Sequence, residues 1–206
     1  MSRPTPQRKV PLENTVALER HALGTLQYIR ASIDAAGLLA VPGSAGIAMG
    51  SLGLLAALTV SIPSLAPHWF GIWVAAGIAA FACGSGLIAH QTLRRGTVLY
   101  RGPARKFLAC LLPPLLAGAA LTFELYQENA LRLIPGLWLL LYGCAVVAAG
   151  TLTVPPVSLM GALFALLGIA ALRLPGTFAN VLLGSGFGGL HLLFGIWIGW
   201  TRRHEY

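Results

Sequence analysis

Few side chains capable of proton, metal or nucleophile chemistry lie in the apolar stretches of this chain, and each stands nearly alone there. His191 sits in a glycine-rich apolar run eleven residues before Arg202. At about 1.5 Å of helix rise per residue, it falls near the middle of a membrane span, and Tyr142 counts to a similar depth in another. An ionisable group at that depth is costly and so is a site candidate. Two readings stand. A neutral His191 is satisfied by Tyr142 or by a backbone carbonyl that the glycine run leaves free, or the pair serves a substrate or a proton. His90 lies four residues before Arg94, close to a surface. It differs in depth from His191 by on the order of 10 Å, so a haem held by both is not expected, nor is any other cofactor. Glu124, Glu128, Arg132 and Arg173 gather at the opposite boundary. They form either a solvated rim, where exposed pairing contributes little, or the mouth of a ligand vestibule. Paired carboxylates, a Ser/His/Asp set, HExxH and a phosphate-cradling loop are all absent from the sequence. Cys83, Cys110 and Cys144 lie far apart with no CxxC, so neither a metal site nor a redox pair is signalled. An enzyme is not expected.

The elements that would hold these residues follow from composition. Of 206 residues, 56% are apolar and 10% charged, and the mean hydropathy is +0.75. A soluble domain carries about 25% charged residues, so this chain lacks the means to cover a water-facing surface. Six runs reach the roughly 20 apolar residues that cross a bilayer: 42–62, 69–91, 107–126, 133–153, 155–174 and 178–200. Before them, residues 1–13 read as a disordered tail. Residues 14–36 read as an amphipathic helix, with Leu18, Ala22, Leu26, Ile29, Ile33 and Ala36 on one stripe. That helix either lies in the interface or docks on the span ends. The expected fold is all-α: a six-span membrane domain over 37–206, preceded by a cytoplasmic amphipathic helix.

Orientation follows from the basic residues. With the N-terminus inside, the inner segments hold twelve Lys and Arg and the outer gaps only Arg132 and Arg173, so both termini are placed in the cytoplasm. The net charge of +8 is therefore assigned to topology and lipid head groups rather than to nucleic acid. Arg94, Arg95, Arg101, Arg105 and Lys106, in the bend after the second span, are the candidate head-group contacts. The spans read as three hairpins. Odd spans open on proline, at Pro42, Pro113–Pro114 and Pro155–Pro156, while Trp69, Trp73 and Trp138 suit an outer interfacial belt. Gly46 and Gly50, Gly184 and Gly188, and Gly195 and Gly199 form GxxxG pairs. Such pairs either pack helices within one molecule or form a homodimer face.

Leu26 to Arg30 (LQYIR), Val41-Pro42-Gly43, Gly102 to Phe107 (GPARKF), Pro113 to Ala119 (PPLLAGA), Pro135 to Gly143 (PGLWLLLYG) and Gly186 to Gly195 (GFGGLHLLFG) carry a resemblance. In these stretches the chain resembles a family of small multi-pass bacterial inner-membrane proteins to which no activity is assigned. The resemblance implies the same lead helix and six spans, and it brings no catalytic residues. In organisation alone, the three-hairpin plan is similar to six-span stress-related proteins of the HdeD type. The leading functional expectation is a non-enzymatic accessory or stress-related protein of the bacterial inner membrane, acting through helix or lipid contacts. The alternative is a small transporter or ligand-binding module built around His191 and Tyr142.

Overall fold

The computed structural model describes residues 23–26, 41–94 and 103–201. The chain divides into two units, residues 1–37 and 38–206. In the first, residues 23–26 are helical, with Leu23 and Leu26 exposed. The rest of the expected tail and lead helix lies outside the described residues.

In the second unit, six helices are long and apolar enough to cross a membrane. They are α1 (Gly43–Val60), α2 (Trp69–Arg94), α3 (Pro103–Gln127), α4 (Ile134–Gly150), α5 (Pro155–Arg173) and α6 (Gly176–Thr201). Among the described residues there is no strand. α6 is not uniform. A 3₁₀ turn and a short α segment lead into a π-helical stretch, Gly184–Leu190, before α geometry resumes at His191. Hydroxyl-bearing residues satisfy themselves locally. Ser51, Thr59 and Thr122 donate to carbonyls four residues back, at 2.9, 2.7 and 2.6 Å, which suits a helix with no water beside it.

Two glycine seams hold the bundle together. In the first, α1 runs against α6, with Gly46 against Gly195 and the His191 carbonyl, and Gly50 against the Gly188 carbonyl. Gly53 lies against the backbone of Phe187, Gly184 against Ala57, and Gly199 beside Gly43. Five of the six GxxxG glycines therefore allow close approach between α1 and α6, while a Cβ on Gly199 would meet open space. In the second seam, Gly143, Gly161 and Gly168 bring the backbones of α4 and α5 together. Close backbone approach matters here because lipid supplies no hydrophobic drive between helices, so attraction comes from van der Waals contact. α4 with α5 is the most extensive pairing, and it joins spans assigned to different expected hairpins. Phe164, Ile134, Leu139 and Leu183 fill the centre and are fully buried. α2 and α3 lie at the periphery, and α3 buries only Gly118 among its described side chains.

Two sequence expectations need correction. Pro42 caps α1 and Pro155 opens α5, but Pro113 and Pro114 lie inside α3 rather than at its start. The helix begins a further ten residues back, at Pro103. Neither internal proline has an N–H for the carbonyls of Ala109 and Cys110, so α3 carries a break in its hydrogen-bond ladder there. Trp73 is likewise not a belt residue. It is 4% exposed, and its indole N–H is held by Asn180. A tryptophan turns inward when an internal acceptor takes its N–H.

Candidate functional site

The site is built where the π-helical stretch of α6 meets α4. At the end of that stretch the backbone N–H of His191 donates to the Gly188 carbonyl. The imidazole turns back onto the Phe187 carbonyl, four residues earlier, with His191 Nδ1 3.1 Å from it. A carbonyl only accepts, so Nδ1 carries the proton. On the other side of the ring, Tyr142 Oη lies 2.7 Å from Nε2. His191 is 3% exposed, and among the described residues neither Asp nor Glu lines the cavity beside it. A charged imidazole would have no counter-ion there, so the ring is neutral and the Tyr142 hydroxyl donates to Nε2.

Aromatic contacts fix this pair. Phe164 meets Tyr142 edge-on at 4.8 Å between centroids and His191 at 5.2 Å. Phe187 lies 5.2 Å from both Tyr142 and Phe164. Phe164 is fully buried at the α4–α5 interface, so these rings are held by the densest part of the bundle.

A cavity of about 310 Å³ reaches the pair. All six helices wall it, through residues such as Met49, Ser85, Leu111, Tyr142, Met160 and His191. It occupies the half of the bundle toward Arg94 and the start of α1, and among the described residues its lining contains no Asp, Glu, Lys or Arg. α2 and α3 touch at the far end, where Phe70 stacks on Tyr126 at 5.1 Å, whereas toward the Arg94 end both contribute to the cavity wall. A second cavity of about 320 Å³ lies at the other end, lined by Trp69, Trp73, Arg132 and Asn180 among others. Three rings stand between the cavities. Trp73 borders the second and Tyr142 the first, and Phe187 contacts both, at 6.2 and 5.2 Å.

Asn180 is the residue that sequence reasoning passed over. Its carbonyl accepts from Trp73 Nε1 at 3.1 Å, and its amide donates to the Ala57 carbonyl at 3.0 Å and to Ser61 Oγ at 3.2 Å. It thereby ties α6 to α1 and α2. The inventory of ionisable groups did not include it. An amide beside an apolar run is itself a signal, because burying one without partners is costly.

Of the expected rim, Glu124, Glu128, Arg132 and Arg173 are all exposed. Only Arg132 borders a cavity. Of the basic bend, Arg95 and Arg101 lie outside the described residues, while Arg94, Arg105 and Lys106 are exposed. Arg94 Nε donates to His90 Nε2 at 3.2 Å, so His90 belongs to the exposed end of α2. Set beside protein-family models, curated proteins and solved structures, the chain matches none of them.

Proposed function

We propose that this is a multi-pass protein of the bacterial inner membrane that binds a small, neutral, mainly apolar molecule beside Tyr142 and His191, and that it is not an enzyme. The carrying observation is the cavity of about 310 Å³ that reaches this buried pair. Small-molecule sites begin at about 300 Å³ and are mostly apolar, with a few convergent polar groups. A charged ligand would find no counter-charge among the described residues of the wall. This cavity moves the weight from an accessory role to the binding module, since a bundle packed solid around His191 would have favoured the former.

The positive-inside count supports cytoplasmic termini, with the cavity in the cytoplasmic half and the Arg132 end outward. In that orientation the lead helix and the basic bend would meet anionic lipid head groups. Three hairpins remain the simplest account of the span order, with α4 and α5 joining the second to the third.

The test is mass spectrometry of small molecules carried through purification in mild detergent. The wild type should retain a compound that Ala89→Phe, which fills the cavity from α2, releases. Identical extracts from both proteins would end this reading.

A further inference from the structure

Resting on the binding-module reading, the geometry points to the chemistry of the ligand: we infer that the site selects a molecule that donates a hydrogen bond, a neutral phenol or alcohol, over the same molecule without its donor. Three linked partners carry the argument. The Phe187 carbonyl accepts only, which places the proton of His191 on Nδ1. The lone pair of Nε2 then takes the Tyr142 hydroxyl proton across 2.7 Å. That hydroxyl is committed as a donor, and its oxygen retains lone pairs with nothing further to accept. Tyr142 lines the cavity, so the polar capacity it offers a ligand is an acceptor. Each step depends on the one before, and the first depends on the Phe187 carbonyl, in the π-helical stretch, lying 3.1 Å from Nδ1.

Selectivity follows from the surroundings. A ligand that brings only an acceptor places it against the phenol oxygen, lone pair to lone pair, in a mostly apolar wall. A site built to complete a hydrogen bond discriminates against the analogue that lacks the group, because a buried polar atom is then left unmet. The remaining lining is mostly apolar, with Met49, Leu111 and Met160, and its other side-chain hydroxyl is that of Ser85 on α2.

The experiment uses the full chain in nanodiscs, with para-propylphenol and its methyl ether as probes. Titration calorimetry is read against Ala89→Phe protein, whose uptake reports partition into lipid alone. The phenol should bind the wild type saturably and about three- to tenfold more tightly than the ether, the range one net hydrogen bond supplies. In Tyr142→Phe with His191→Phe, which removes both the phenol oxygen and the Nε2 lone pair it covers, the preference should vanish while the ether still binds. Equal affinities in the wild type would overturn the donor inference and leave the cavity reading standing. If neither compound binds above the blocked baseline, the cavity reading falls as well. Nitrogen NMR of His191 in the wild type checks the first step without any variant: Nδ1 should be protonated and Nε2 bare, and the reverse assignment would overturn the inference.

Discussion

Replacing Gly195 with alanine tests the α1–α6 seam most directly. A Cβ built on Gly195 would lie 2.7 Å from the backbone nitrogen of Ile47, 2.9 Å from the Gly43 carbonyl oxygen and 2.9 Å from the Gly46 carbonyl carbon. All three are backbone atoms, so no side chain can swing aside. Ordinary contact begins at 3.4 Å, and the helices would have to part by about 0.7 Å at this point. That separation would also loosen the neighbouring contacts at Gly46 and Gly50, which depend on the same approach. Overpacking of this kind costs about 1–3 kcal/mol. Gly77, in α2, is the matched control, because a Cβ there meets nothing within 4 Å. Gly77→Ala should leave stability unchanged or raise it by up to about 1 kcal/mol, through helix propensity alone. Reversible unfolding in mixed micelles, followed by circular dichroism, measures both. The seam argument predicts opposite signs for the same chemical change in two spans of one protein. If Gly195→Ala were as stable as the wild type, or if the two variants shifted together, the close approach would not be holding α1 to α6.

Two further outcomes follow. Asn180→Leu should destabilise the protein by about 1–3 kcal/mol by leaving the Trp73 N–H unmet, and adding Trp73→Phe should recover part of that loss; additive effects in the same unfolding assay would refute the pairing. Cys83 and Cys144 are exposed on the apolar flanks of α2 and α4, so in intact membranes they should resist a charged thiol reagent and react with one that partitions into lipid; rapid modification by the charged reagent would refute a lipid-facing position.

The six spans were legible because apolarity over some twenty residues is a property of the chain read along its length. Predicted 155–174 against observed Pro155–Arg173 shows how little folding adds at that level. The Tyr142–His191 juxtaposition was legible for a related reason. Depth in a bilayer can be counted in residues, and a lone imidazole at mid-depth has few partners to choose among. Lateral arrangement was not legible. Trp73 reads as an interfacial residue until its acceptor is known, and that acceptor lies 107 residues away. Pro113–Pro114 reads as a helix start by analogy with Pro42 and Pro155, yet proline is tolerated inside membrane helices when other groups compensate, and sequence does not separate the two cases. The cavity was invisible because a void belongs to no residue. It emerges where six walls fail to meet.

The α1–α6 seam also bears on biosynthesis. Of the six spans described, α1 is translated first, carrying its row of glycines, and its principal mate α6 is translated last of the six. Until then the small-residue face of α1 has only lipid, the translocation machinery or a provisional neighbour against it. The contact between these six is therefore completed late, and a nascent chain released before α6 would expose an unfilled groove that quality control can recognise.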